Sequence, residues 1–173
     1  SLQATVVQIH INVLITVCSV YLPPHASISQ TDLNSLLVQL PSPFILLGDF
    51  NGHSELWGSS ASNDRGRKIE QLIHDHNLCL LNKDEETSFH SPTQTFHSID
   101  LAVCSPAILP FINFSVSDNL HNSDHFPLIV SYFTSVPMSS RPSTFIFHRA
   151  NWPLFTILAQ IMEDMITRNT IGA

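Results

Sequence analysis

Three short polar clusters gather side chains suited to hydrolytic chemistry: Gly48-Asp49-Phe50-Asn51, Ser98-Ile99-Asp100 and Ser123-Asp124-His125-Phe126-Pro127. Each lies at the end of a strand-like stretch, where a rigid scaffold holds side chains in fixed geometry. Taken singly, an Asp after a strand is most often a turn or cap residue. Together the clusters offer the carboxylates of Asp49, Asp100 and Asp124, the amide of Asn51 and the imidazole of His125. That set suits metal-assisted phosphodiester hydrolysis: hard carboxylate oxygens for Mg²⁺, a histidine near neutral pKa for proton work, and an amide to steady phosphate oxygens.

The elements that must position these groups are readable from hydrophobic periodicity. Residues 4–12 alternate Val7, Ile9 and Ile11 with Gln8, His10 and Asn12, as a half-buried strand does, and residues 13–22 form a second strand paired with it and stopped by Pro23-Pro24. Leu33, Leu36, Leu37 and Leu40 recur at helical spacing over residues 32–40, with Thr31 or Ser29 as N-cap, and Pro41 and Pro43 follow. The apolar run Phe44-Ile45-Leu46-Leu47 reads as a strand covered on both faces, turned by Gly48. A second helix is predicted over residues 65–76, capped by Asn63 or Asp64, with Ile69, Leu72 and Ile73 buried. Further strands are predicted at 78–81, 87–90, 95–103, 112–116 and 126–133. Strands in runs rather than strict alternation with helices favour an α+β layering. A Ser- and Pro-rich linker is expected over 134–150, and after it a helix over 151–173, capped by Asn151, with Leu154, Ile157, Leu158, Ile161 and Met165 on one face.

Composition bounds the function. The 173 residues carry 14 acids against 7 Lys plus Arg, a net charge of −7, with 43% hydrophobic and 12% charged residues, which excludes a disordered acidic segment. No Lys or Arg precedes Arg65, and Asp32 is the single formal charge of the first 48 residues, so that stretch is expected to lie mostly inside. Nothing in the sequence resembles the basic patch of a nucleic-acid binder, so any DNA affinity is expected to come from a local site. Arg65, Arg67 and Lys68 form the one local basic cluster, either a contact to the DNA backbone or a solvated helix start. Cys18, Cys79 and Cys104 fit neither a zinc pattern nor a disulfide framework and read as buried free thiols. No apolar stretch reaches the ~20 residues of a membrane span, and no targeting signal is visible.

In order and separation, Val20-Tyr21-Leu22-Pro23-Pro24, Gly48-Asp49-Phe50-Asn51, Ile99-Asp100 and Ser123-Asp124-His125 resemble the endonuclease/exonuclease/phosphatase superfamily, which includes DNase I and the abasic-site endonucleases. His53, Leu56-Trp57-Gly58-Ser59, Asn63, Arg65-Gly66, Leu81-Asn82, Thr87 and Ala150-Asn151-Trp152-Pro153-Leu154-Phe155 look like the endonuclease domain of jockey-type non-LTR retrotransposons. The resemblance implies a DNase I-like four-layer α/β-sandwich of two mixed sheets flanked by helices over residues 1–133, with the connector leading toward a reverse transcriptase domain of the same polyprotein. It implies a Mg²⁺-dependent endonuclease, Mn²⁺ being the alternative ion, that nicks double-stranded target DNA in the nucleus to prime reverse transcription.

On that resemblance Asp124 helps bind the metal, Asp100 orients His125, and His125 contacts the scissile phosphate or takes a proton. Asp49 orients or deprotonates the attacking water, Asn51 stabilises charge on the phosphate oxygens, and Tyr21 donates its hydroxyl there. Ser98 adds a donor, while His53 and Trp57 touch DNA or merely pack. The other histidines, His97 among them, are expected to be scattered on the surface. The family also uses an Asn and a metal-binding Glu from early strands; nothing before Tyr21 matches, and the first Glu is Glu55. The expectation is a domain lacking its N-terminal part and weakly active or inactive. The competing readings are an abasic-site or other phosphoesterase and a catalytically dead relic.

Overall fold

The computed structural model describes residues 1–134, so the linker and helix expected beyond them lie outside the described residues. The alternating segment forms β1 (Gln3–His10), which pairs antiparallel with β2 (Leu14–Tyr21), Gln3 opposite Tyr21 and His10 opposite Leu14. Pro23 and Pro24 end β2, and α1 (Gln30–Val38) starts at Ser29 rather than Thr31. The Ser29 hydroxyl accepts from Asp32 N at 3.1 Å and Asp32 Oδ2 accepts from Ser29 N at 2.8 Å, a reciprocal capping box. The chain returns in β3 (Phe44–Asp49), parallel to β2. Helix α2 (Asp64–Asp75) is capped by Asn63. After it come β4 (Cys79–Leu80), a hairpin of β5 (Ser88–His90) and β6 (Thr95–His97), then β7 (Asp100–Cys104), β8 (Ile112–Val116) and β9 (Leu128–Tyr132).

The central sheet has the order β1-β2-β3-β7-β4, with β2 and β3 parallel and the other pairs antiparallel. Both described helices lie on one side. Leu33, Leu36 and Leu37 of α1 and Ile69 and Leu72 of α2 cluster with Cys18, Val20, Leu46, Leu101 and Val103 of the sheet. Against the opposite face, Ile108, Ile112, Val130 and Tyr132 pack on Ile15, Ile45 and Cys104. The fold is α+β, and among the described residues the second sheet of the sandwich is represented by the antiparallel β8–β9 ribbon. None of the described helices is long and apolar enough to cross a membrane. The three cysteines are free, and burial, then the neighbouring Cys79, pushes Cys104 up to about 12, which leaves it inert.

Two expectations are corrected. The opening residues do not lie mostly inside: β1 is exposed along its whole length, with Val7 51% and Ile9 45% exposed. As an edge strand it meets only β2, and nothing among the described residues covers its faces. The single strand expected over 95–103 is two strands in different sheets. Between them Ile99 N and Asp100 N both donate to the buried Thr87 hydroxyl, at 3.0 and 2.9 Å. These bonds replace a ladder while the chain crosses from the hairpin to the central sheet, and they place Asp100 at the start of β7. A 3-10 turn at Glu55–Trp57 and another at Pro106–Phe111 were not visible in the periodicity.

Gly48 carries φ +140°, and a Cβ there would stand 2.0 Å from the Val20 carbonyl oxygen of the neighbouring strand. Gly48→Ala therefore costs about 3 kcal/mol or more, from backbone strain and overlap together. Val38→Ala, at a position 80% exposed on α1, changes stability by no more than about 0.5 kcal/mol. Urea denaturation of the two variants measures the contrast, and a Gly48→Ala protein as stable as wild type contradicts the packing described.

Candidate active site

Strand register assembles the site. Tyr21 is the parallel partner of Asp49, and Asp49 is the antiparallel partner of Asp100. Cross-strand partners share a face, and neighbouring strands lie about 4.8 Å apart, so Tyr21, Asp49 and Asp100 form one row across β2, β3 and β7. The row continues the face whose deeper residues pack on the ribbon. His125 reaches it from the loop between β8 and β9. That loop is stitched to the hairpin: Phe89 N donates to Asp124 O and Phe126 N to Thr87 O, each at 2.8 Å. His125 Nδ1 donates to Asp100 Oδ2 at 2.8 Å and Oδ1 at 3.0 Å. Since a carboxylate only accepts, the proton sits on Nδ1, and Nε2 is the nitrogen left to meet a substrate.

Asn51 adopts φ +49°, a left-handed turn that Asn tolerates. Its amide nitrogen donates to Asp49 Oδ2 at 2.7 Å and to the Leu22 carbonyl at 3.1 Å, while its backbone N–H donates to Asp49 Oδ1 at 2.9 Å. Both amide hydrogens are thus committed to acceptors. In this arrangement Asn51 fixes the Asp49 carboxylate, and donating to a phosphate oxygen requires exchanging one of these bonds.

Electrostatics follow from two carboxylates pressed together. Burial raises the Asp49 carboxyl above its ordinary value and the charge of Asp100 raises it further, against the Asn51 bonds. Burial likewise raises Asp100, against the relief from His125. For His125 burial acts downward, but the bond to Asp100 and the charges of Asp100, Asp49 and Asp124 outweigh it, and the imidazole is raised. Asp49, Asp100 and His125 each bring one donor atom within 4.8 Å of the others, a possible acidic metal site. Two carboxylates and an imidazole converging at this distance are hard oxygen and nitrogen donors, so the donor set fits a divalent cation.

The remaining residues expected at the site fall out differently. Tyr21 is 40% exposed at the end of the row. Asp124 is exposed and lies outside the tight group; with His125, Phe89, His97 and Ile99 it lines a cavity of about 280 Å³. His53 is half-buried with its ring edge-on to His97 at 5.6 Å, and burial, then His97, lowers its pKa. Burial decides the open reading of Trp57 and corrects that of Ser98. Trp57 is fully buried, its indole N–H donating to Gly52 O at 3.1 Å, so it packs beneath the loop instead of touching DNA. Ser98 is buried and its hydroxyl donates to Glu85 O at 2.8 Å, so that donor is spent. His97, expected on the open surface, sits half-buried on the cavity beside His125. Nothing in its sequence spacing signals that place, because the hairpin that brings it there is a tertiary feature.

The chain is similar to several known proteins. The family model described as Endonuclease-reverse transcriptase matches residues 15–129. The RNA-directed DNA polymerase from mobile element jockey of Drosophila melanogaster is 26% identical over 151 residues, 86% of this chain and 16% of that protein. The probable RNA-directed DNA polymerase from transposon X-element of the same fly is 26% identical over 138 residues, 79% of this chain and 15% of that protein. The chain therefore spans about 16% of the length of the curated relatives it matches. The solved endonuclease domain of TRAS1, a telomere-specific non-LTR retrotransposon, superposes with a TM-score of 0.67 at 26% identity, covering 75% of this chain and 61% of that chain.

The pairing of His125 with Asp100 has a direct titration consequence. In the wild-type chain the His125 midpoint lies above the ordinary value of about 6.5. Because the folded value is raised, the pair's stabilisation is fully present below about pH 6.5 and is lost as pH rises through the folded value. Asp100→Asn removes the largest upward influence and leaves burial, so the midpoint falls. NMR titration of the imidazole resonances measures this, and an unchanged midpoint in Asp100→Asn is incompatible with the pair.

Proposed function

Because the chain belongs to the endonuclease-reverse transcriptase family, whose model covers residues 15–129, we propose that it hydrolyses phosphodiester bonds of double-stranded target DNA with the aid of Mg²⁺. The observation that carries this reading is the row of Tyr21, Asp49 and Asp100 with His125 bonded to its end. Asp49, raised by burial and held by Asn51, orients a water and takes its proton. The water oxygen bonds to phosphorus, the bond from phosphorus to the 3′ oxygen breaks, and that oxygen leaves as a 3′-OH on taking a proton from solvent water. His125, raised by three carboxylates and fixed by Asp100, presents Nε2–H to the scissile phosphate, where charge develops in the transition state. Tyr21 donates its hydroxyl to a phosphate oxygen from the neighbouring strand.

Asp124 and the Asp100 carboxylate would hold Mg²⁺, or Mn²⁺ in its place, and the ion would offset phosphate charge and lower the pKa of nearby water. The 3′-OH left by a nick is the primer a reverse transcriptase extends. The relatives are RNA-directed DNA polymerases of mobile elements, which supports reading residues 134–150 as a linker and 151–173 as a connector toward such a domain in a longer polyprotein. Chromosomal DNA as target places the act in the nucleus.

Conversion of supercoiled plasmid to the nicked circle, with Mg²⁺ and with EDTA, tests the reading. Wild type nicks weakly and only with the metal, and His125→Ala and Asp49→Asn each slow nicking by roughly 10²-fold or more. Asp124→Ala raises the Mg²⁺ concentration needed for half-maximal rate. Equal rates in wild type and the variants would sink the assignment.

A further inference from the structure

The first turn of α2 carries the chain's local basic cluster, and its side chains are already engaged. Arg65 Nη1 donates to Leu22 O at 3.1 Å, and Nη2 donates to Pro23 O, Pro24 O and Ala26 O at 2.9, 3.2 and 2.7 Å. Lys68 Nζ donates to Ile28 O at 2.8 Å. Arg67 pairs with Asp64 at the surface. The guanidinium therefore gathers carbonyls rather than facing outward for a phosphate. The segment it gathers needs such help: Pro23 and Pro24 have no N–H to donate, and residues 22–28 belong to no helix or strand.

Leu22 O is the junction. It accepts from Arg65 at 3.1 Å and from the Asn51 amide at 3.1 Å, and a carbonyl oxygen has lone pairs for both. The same Asn51 amide nitrogen donates to Asp49 Oδ2 at 2.7 Å. On its other side the first turn of α2 is locked to the loop after β3. Asn63 Oδ1 accepts from Gly66 N at 2.7 Å and His53 N at 3.2 Å. A Cβ on Gly66 would stand 1.8 Å from the His53 carbonyl oxygen, so the helix and the loop touch backbone to backbone. The start of α2 thus sits between the loops that follow β2 and β3, tied to the first through Arg65 and to the second through Asn63 and Gly66.

We propose that Arg65 is a positioning residue for the hydrolytic site, acting through the Leu22 carbonyl on Asn51 and through Asn51 on Asp49; this rests on the hydrolytic reading above. The planar fork of Arg spans several acceptors at once, which the single ammonium of Lys does not reproduce.

Plasmid nicking by the 173-residue chain, with kcat and KM measured at low and moderate salt, tests it on Arg65→Ala, Arg65→Lys, Asn51→Ala and the double variant Arg65→Ala/Asn51→Ala. Arg65→Ala lowers kcat on the order of 10-fold while KM and its salt dependence stay within about twofold, and added guanidinium restores part of the rate. The double variant is no slower than Asn51→Ala by more than about twofold, the signature of residues acting in one chain. A raised KM with a shallower salt slope means a DNA phosphate contact instead and overturns the proposal; so does a loss that multiplies in the double variant. Arg65→Lys gives an intermediate loss and carries the comparison if Arg65→Ala fails to fold. A second readout is independent of activity: the side-chain amide NMR signals of Asn51 shift or broaden in Arg65→Lys while core methyl signals remain. If wild type does not nick, the hydrolytic reading falls, and the Asn51 amide signals decide whether Arg65 holds Asn51. An unmoved Asn51 amide overturns the clamp.

Discussion

Asp49 and Asp100 stand opposite one another on neighbouring antiparallel strands, at the ends of β3 and β7. Like charges in that relation repel, and burial compounds the cost. Much of the surrounding structure answers this one constraint. Asn51 directs both amide hydrogens and its backbone N–H toward Asp49 and the adjacent strand end, while His125 places a proton between the oxygens of Asp100. The negative charge that remains is what a divalent cation at this cluster would offset.

Holding opposed carboxylates requires a stiff frame, and the frame is made of close backbone approaches. Gly48 lets β3 pass the Val20 carbonyl, and Gly66 lets α2 meet the His53 carbonyl. Trp57 fills the space beneath the loop after β3 and bonds Gly52, so of the two roles its sequence context leaves open, DNA contact or packing, it takes packing. Thr87 does comparable work from the hairpin, where its hydroxyl takes the N–H groups of Ile99 and Asp100 and steers the chain into β7. Such polar groups are retained because an unpaired buried donor costs more than the bond is worth when made.

Most elements are legible in the sequence. Periodicity locates α1, α2 and β3 within two residues, since an apolar stripe at helical spacing fits little besides an amphipathic helix and a short solid apolar run suits a covered strand. The motif order also points to the endonuclease family without coordinates. Where sequence and structure differ, the cause is long range. The exposure of β1 depends on its edge position, and the break between β6 and β7 depends on Thr87, distant in sequence from the bonds it makes.

By itself the sequence determined the inventory: which side chains are chemically capable, and the family to which their order belongs. Tertiary structure alone decided the register that sets Tyr21, Asp49 and Asp100 in one row, the commitment of Asn51 to Asp49, and the engagement of Arg65 by backbone carbonyls. The physical reason is that residue type reports what an atom can donate or accept, whereas its partner is settled only when strands pair and loops close. A shift of one residue in β3 would turn Asp49 to the opposite face and dissolve the site while leaving every motif intact.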